Sequence, residues 1–174
     1  TGMFVSDLLT LDNYRKTETE DRFSKSGFTL VPFVDNFYPK EITSLKFYAE
    51  VYYASKIIGE HSPYLLTYYL EDADSKIVLD EFKTIKKQNA ETVSVVLSEF
   101  NISQLPSGNY FLVLEIRDRN NQLIDFSQTY FQRSNNQAVS QGNDIANLKI
   151  ENTFVASITN HDELVESIAC LRPI

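Results

Sequence analysis

The chain has 174 residues, of which 43% are hydrophobic and 23% charged, with a formal net charge of −8. This size fits one domain, or one domain with an appendage, and the composition excludes general disorder. The acidic balance argues against a nucleic-acid-binding surface, and the apolar runs are too short for membrane insertion. The 10 Tyr and 12 Phe residues, with no Trp, favour β-strands.

From Met3 to Arg133, short apolar runs alternate with polar turns, a pattern typical of an all-β fold. Helical periodicity is absent from this region, and the polar stretch Asp12–Asp21 is predicted to be a loop. About eight strands are predicted: Met3–Leu8, Phe28–Phe33, Leu45–Tyr53, Tyr64–Glu71, Lys76–Thr84, Thr92–Ser98, Tyr110–Asp118 and Leu123–Phe131. We expect residues 1–133 to form an immunoglobulin-like antiparallel β-sandwich.

Local turn chemistry places several connections between these strands. Asp72–Ser75 and Arg119–Asn121 are predicted to be hairpin turns. The lysine cluster at positions 83, 86 and 87 is typical of an edge strand protected from aggregation.

The segment that leads into Tyr110 is the most specific local signal. In immunoglobulin-like sandwiches, a tyrosine at the start of a late strand donates its hydroxyl to the backbone a few residues upstream. Leu105, Gly108 and Tyr110 match this tyrosine corner, and Gly108 permits the turn. We expect these three residues to be structural.

Alternation from Tyr110 places Phe111 and Val113 on the outer face of the sheet. Tyr48 and Tyr52 likewise share one face of their own strand. If the two strands pair, these four side chains form an apolar strip that needs cover. The cover is expected to be the C-terminal arm and helix, a second copy of the chain, or another protein.

Residues 134–174 are predicted to be a linker or arm followed by an amphipathic helix. The helix begins near Thr159 and carries Leu164, Ile168 and Leu171 at helical spacing. These three residues are a further candidate interaction surface. Pro173 is expected to end this helix, and we expect a helical region to continue beyond Ile174, in a longer protein.

The sequence contains no recognisable constellation for catalysis, cofactor binding or metal binding. His61, His161 and Cys170 are too few for a zinc site, and the single cysteine permits no internal disulfide. Glu71–Asp74 resembles the start of a calcium loop but lacks the glycine and the distal glutamate. Neither a glycine-rich phosphate loop nor a nucleophile elbow occurs. We expect a protein that is not an enzyme and that needs no cofactor.

Carbohydrate binding is the main alternative. Tyr48, Tyr52 and Tyr69 could stack on sugar rings, although the absence of Trp argues against this. A hydrolase is a third hypothesis, because glycoside hydrolysis uses a pair of carboxylates and the 24 acidic residues offer many such pairs.

Several short motifs together resemble the N-terminal region of bacterial GWxTD-domain proteins. The motifs are Val5–Leu8, Phe28–Pro32, Leu45–Val51, Leu105–Tyr110, Asp162–Leu164 and Leu171–Ile174. The resemblance implies a sandwich-like region, a helical segment, and then the domain with the Gly-Trp-x-Thr-Asp motif, which this chain lacks. It also implies a periplasmic or envelope-associated protein. We expect a non-catalytic interaction or scaffold module whose partner is a second copy or the following domain.

Overall fold

The computed structural model describes residues 2–18 and 24–136. This part of the chain contains eleven strands and one short helix, α1 (Ala54–Ile58). The strands are β1 (Phe4–Val5), β2 (Leu9–Lys16), β3 (Ser24–Lys25), β4 (Phe28–Pro32), β5 (Phe37–Tyr38), β6 (Ser44–Tyr52), β7 (Pro63–Asp72), β8 (Val78–Asn89), β9 (Val93–Asn101), β10 (Gly108–Arg117) and β11 (Leu123–Arg133).

The first sheet is built around β6, which pairs with β9 along its whole length. The other edge of β6 pairs with β1 near its end and with β2 further back. From β2 the sheet continues through β4 to β3. The β3–β4 turn has positive φ at both Ser26 and Gly27, as a two-residue type I′ hairpin requires.

The second sheet has the order β5-β11-β10-β7-β8, and its pairs are antiparallel except for the parallel β5–β11 pair. The predicted hairpins between β7 and β8 and between β10 and β11 are confirmed. In the first of these turns, the Asp72 carboxylate accepts hydrogen bonds from the backbone and hydroxyl of Ser75. The lysine-rich strand β8 lies at the edge of the described sheet, as its composition predicted.

The two sheets pack against each other through apolar side chains from both. Phe47 of β6 contacts Tyr68 of β7, with ring centroids 5.2 Å apart, and Tyr68 also contacts Phe100 of β9. Leu112 and Leu114 of β10 are completely buried in the same core. The prediction of an all-β sandwich is therefore confirmed.

Two local predictions are wrong. Strand β2 occupies the first half of the predicted Asp12–Asp21 loop. Its polar character misled the prediction, because only Leu11 is buried while most of the polar side chains of β2 remain exposed. Helix α1 lies in a region where no helix was predicted. Five residues are too few to show helical periodicity in the sequence.

The predicted pairing of the Tyr48 strand with the Tyr110 strand is also wrong. Strand β6 belongs to the first sheet and β10 to the second, where β10 pairs with β7 and β11. Tyr48 and Val113 therefore lie in different sheets. The predicted C-terminal helix, with Leu164, Ile168 and Leu171, falls outside the described residues.

Candidate functional site

The tyrosine corner has the geometry of a structural element. The Tyr110 hydroxyl donates a hydrogen bond to the Pro106 carbonyl, with an oxygen–oxygen distance of 3.2 Å. Leu105 is completely buried beneath this turn. Burial raises the pKa of Tyr110, so its hydroxyl remains a neutral donor at physiological pH.

We expect Gly108→Ala to lower the free energy of unfolding by about 1–3 kcal/mol, because the Tyr110 ring leaves no space for a methyl group. An added Cβ would lie 3.0 Å from the hydroxyl oxygen and 3.1 Å from Cζ of Tyr110. Urea unfolding followed by far-UV circular dichroism measures the change. Gly2→Ala is the control, since nothing lies within 4 Å of its Cβ position. Equal stability of the two variants would contradict the packing argument.

The outer face of the first sheet is covered by its own chain. Tyr48 was predicted to be an exposed interaction residue, but it is only 2% exposed and packs with Leu11 of β2 and Leu30 of β4. Tyr52 is half-buried and stacks on Phe4 at 5.1 Å. The C-terminal arm and helix, a second copy or another protein were predicted to cover Tyr48 and Tyr52. Strands β2 and β4 cover Tyr48 instead.

A buried carboxylate joins this cover to β6. Glu50 accepts hydrogen bonds from the Tyr48 hydroxyl at 2.6 Å, from the Ser26 hydroxyl at 2.6 Å and from the Tyr52 hydroxyl. The Lys25 ammonium lies 2.8 Å from the same carboxylate. Burial alone would raise the pKa of Glu50, but these hydrogen bonds outweigh it and lower the pKa to about 2. Glu50 is therefore a structural anion that attaches the β3–β4 hairpin to β6.

The outer face of the second sheet carries three aromatic side chains on β10 and β11. Phe111 is half-buried, Phe126 is 51% exposed and Tyr130 is 39% exposed. Phe111 pairs in register with Tyr130, and their ring centroids are 5.8 Å apart. We call these three residues the aromatic patch. Val113, predicted with Phe111 as an exposed residue, is only 3% exposed between its neighbours Tyr69 and Gln128.

A polar groove of about 370 Å³ lies beside this patch, between β8, β7 and β10. We call it the β8 groove. Its lining residues are Leu65, Thr67, Tyr69, Val78, Lys83, Ile85, Glu115, Arg117 and Asn121. None of these except Tyr69 was singled out from the sequence as a potential ligand-binding residue, because their proximity depends on strand register.

A hydrogen-bond network forms one wall of the groove. Tyr69 donates its hydroxyl to Glu115 Oε1 at 3.0 Å, while Arg117 binds Glu115 Oε2 through two nitrogens, each at 2.8 Å. Arg117 also donates to the Asn121 carbonyl at 3.1 Å. Burial and the neighbouring Glu115 carboxylate raise the pKa of Tyr69 to about 12. Tyr69 therefore stays a neutral donor at physiological pH and holds Glu115 in place.

A second buried ion lies at the end of β11. Arg133 is 2% exposed and donates to the carbonyls of Pro39 and Ile42, each at 2.7 Å. Desolvation lowers the pKa of its guanidinium. Glu50 and Arg133 were both missed as key residues. Glu50 lies between two tyrosines on the covered face of β6, whereas the mixed row that ends at Arg133 on β11 gives no comparable signal.

Within residues 2–18 and 24–136, no group of three or more His, Cys, Asp or Glu side chains is arranged to hold a metal ion. The described helix is neither long nor apolar enough to span a membrane. No family model matches the chain, and no curated protein matches it.

Proposed function

We propose that the chain is a non-catalytic protein-interaction or scaffold module of a larger bacterial envelope-associated protein. The observation that carries the proposal is the aromatic patch, in which Phe126 and Tyr130 of β11 are exposed and the half-buried ring of Phe111 on β10 packs against Tyr130. Exposed aromatic clusters of this kind are enriched at protein interfaces. The resemblance to the N-terminal region of GWxTD-domain proteins, and the immunoglobulin-like character suggested by the Tyr110 corner, support the same proposal.

The margin of the patch favours a second copy of this chain as the partner. Gln128 lies between Phe126 and Tyr130 on the same face of β11. Asn109 accepts hydrogen bonds from the Tyr130 hydroxyl at 2.7 Å and from the Gln132 amide at 3.1 Å. Two carboxylates also border the patch, Glu71 in register with Phe111 and Glu115 in register with Phe126. Each is paired with a cation, Lys76 at 3.9 Å and Arg117 at 2.8 Å, which limits carboxylate repulsion between two patches on a chain with a net charge of −8.

We expect Phe126→Ser to weaken self-association at least tenfold, because it removes the most exposed ring of the patch. Sedimentation velocity of the full chain over a concentration series measures the monomer–dimer equilibrium. Ile57→Ser is the matched control: Ile57 is 48% exposed, against 51% for Phe126, but lies in α1. A chain that stays monomeric up to about 1 mM, or an equal effect of both variants, would contradict the proposal.

The β8 groove supports a binding function more than a catalytic one. Glu115 is the single carboxylate among its described lining residues, whereas glycoside hydrolysis commonly uses a pair. The Glu115 carboxylate is also already bound by Arg117 and Tyr69. The carbohydrate-binding alternative retains one tyrosine here, Tyr69, since Tyr48 is buried.

A further inference from the structure

The β8 groove differs in charge from the chain as a whole. Its lining contains two cationic side chains, Lys83 and Arg117, and one anionic side chain, Glu115, so its local charge is +1 on a chain of net −8. Arg117 is paired with Glu115. Lys83 makes no ion pair within the described residues, which leaves its ammonium available to a ligand. The complementary ligand group is therefore a single anion.

The register of the strands brings the Lys83 ammonium and the Glu115 carboxylate to opposite sides of Tyr69. Tyr69 pairs with Lys83 of β8 on one side and with Val113 of β10 on the other. Glu115 lies two residues beyond Val113, on the same face of β10. Strands β8 and β10 flank β7, so their backbones are about 10 Å apart. With the long side chains of Lys83 and Glu115 reaching inward, this spacing suits a ligand of about one sugar ring.

Glu115 restricts the chemistry of that ligand further. A carboxylate offers about four acceptor positions, and the Tyr69 hydroxyl and the two Arg117 nitrogens occupy three of them. The remaining position accepts a hydrogen bond from a ligand hydroxyl and repels a ligand anion. The groove thus requires hydroxyl donors near Glu115 and one negative charge near Lys83. The apolar side chains of Leu65, Val78 and Ile85 complete the lining.

We propose that the β8 groove binds an acidic sugar residue of the uronic acid class, with the ligand carboxylate on Lys83 and its ring hydroxyls on Glu115 and Thr67. A neutral sugar would leave the Lys83 ammonium unused. An acidic peptide would bring carboxylates towards Glu115, which repels them. It also lacks the ring hydroxyls that could donate hydrogen bonds to Glu115. The groove adjoins the aromatic patch, because Glu115 pairs in register with Phe126, but it lies on the β7 and β8 side of β10.

The test is calorimetric titration of the full chain with trisaccharides of galacturonate, glucuronate and mannuronate. Neutral galactotriose and an acetylated aspartate-rich hexapeptide serve as comparison ligands. We expect at least one uronate to bind at least tenfold more tightly than galactotriose and the peptide. Its affinity should fall about tenfold in Lys83→Gln, which removes the ammonium and retains a side chain of similar length.

Lys87→Gln is the matched control, because Lys87 lies on the same face of β8, beside Leu65, but does not line the groove. It should bind the uronate as the unmodified chain does. Equal losses in both lysine variants would indicate non-specific attraction and overturn the proposal. It would also be overturned by binding of none of the three uronates, by equal binding of galactotriose, or by preferential binding of the peptide. Ile57→Ser and Tyr130→Ser should retain uronate binding. Tyr130 belongs to the aromatic patch but pairs with Phe111 rather than with Glu115, so its variant separates the two sites.

Discussion

Glu50→Gln should lower the free energy of unfolding by about 2–3 kcal/mol. In the native chain, three hydroxyls and the Lys25 ammonium all donate to the Glu50 carboxylate. Glutamine has nearly the same size but only one acceptor oxygen, and its amide hydrogens would face donors. The variant therefore leaves buried hydroxyls without an acceptor while creating no cavity. Urea unfolding followed by far-UV circular dichroism is a suitable measurement.

The pH dependence of the stability difference between the native chain and Glu50→Gln provides a second, independent test of the role of Glu50. The pKa of Glu50 is lowered from 4.5 to about 2, so the native state favours the ionised carboxylate. A lowered native pKa stabilises the fold fully above the unfolded-state value and less as the pH falls. The stability difference between the native chain and Glu50→Gln should therefore be constant above about pH 5 and shrink between pH 4.5 and 2.

Glu99→Gln is the control for the Glu50 prediction. Glu99 lies on β9 and accepts one hydrogen bond, at 3.0 Å, from the Ser44 hydroxyl at an exposed position. Its loss should cost less than about 0.5 kcal/mol, as is usual for exposed polar pairs. If both glutamine variants were equally stable from pH 7 to pH 3, Glu50 would not be the anion that holds the hairpin.

The Glu50 cluster illustrates what could and could not be predicted from the sequence. Period-two alternation correctly placed Tyr48 and Tyr52 on one face of β6, and the same alternation puts Glu50 between them. The missing information was the position of Lys25 and Ser26, which lie 24 or more residues earlier and come to Glu50 only when β4 and β3 join the sheet. A carboxylate between two tyrosines, in the run Phe47–Tyr52 where all the other residues are apolar or aromatic, was the available signal of a buried anion.

Sheet membership was the largest error, and it has a physical origin. Alternation determines which side chains share a face, whereas the neighbour of a strand depends on contacts far apart in sequence. The hairpins β7–β8 and β10–β11 were predictable because turn residues between adjacent strands determine them locally. The partners of β6 are β9, β1 and β2, and no turn connects β6 directly to β9 or β2. The β8 groove was missed for the same reason.

Arg133→Met should lower the free energy of unfolding by about 3–5 kcal/mol, the largest change we expect. The guanidinium joins the end of β11 to the loop after β5, where it donates to the carbonyls of Pro39 and Ile42 at 2.7 Å and of Tyr38 at 3.4 Å. Methionine fills a similar volume but has no donor. Three buried or partly buried carbonyls would then each lose a hydrogen bond. The free-energy cost of these losses exceeds the gain from no longer burying a charged guanidinium.

Two further variants distinguish the loss of these hydrogen bonds from a general effect of removing charge. Arg119→Met removes an exposed arginine in the β10–β11 turn and should change stability by less than about 0.5 kcal/mol. Arg133→Lys should be intermediate, because an ammonium can donate to two of the carbonyls but lacks the fixed geometry of the guanidinium. Amide hydrogen exchange provides a local measurement: the Ile42 amide, which donates to the Pro39 carbonyl at 3.0 Å, should exchange faster in Arg133→Met. A methionine variant as stable as the native chain would mean that water satisfies these carbonyls, and that neither the charge nor the hydrogen bonds of Arg133 contribute net stability to this end of the sandwich.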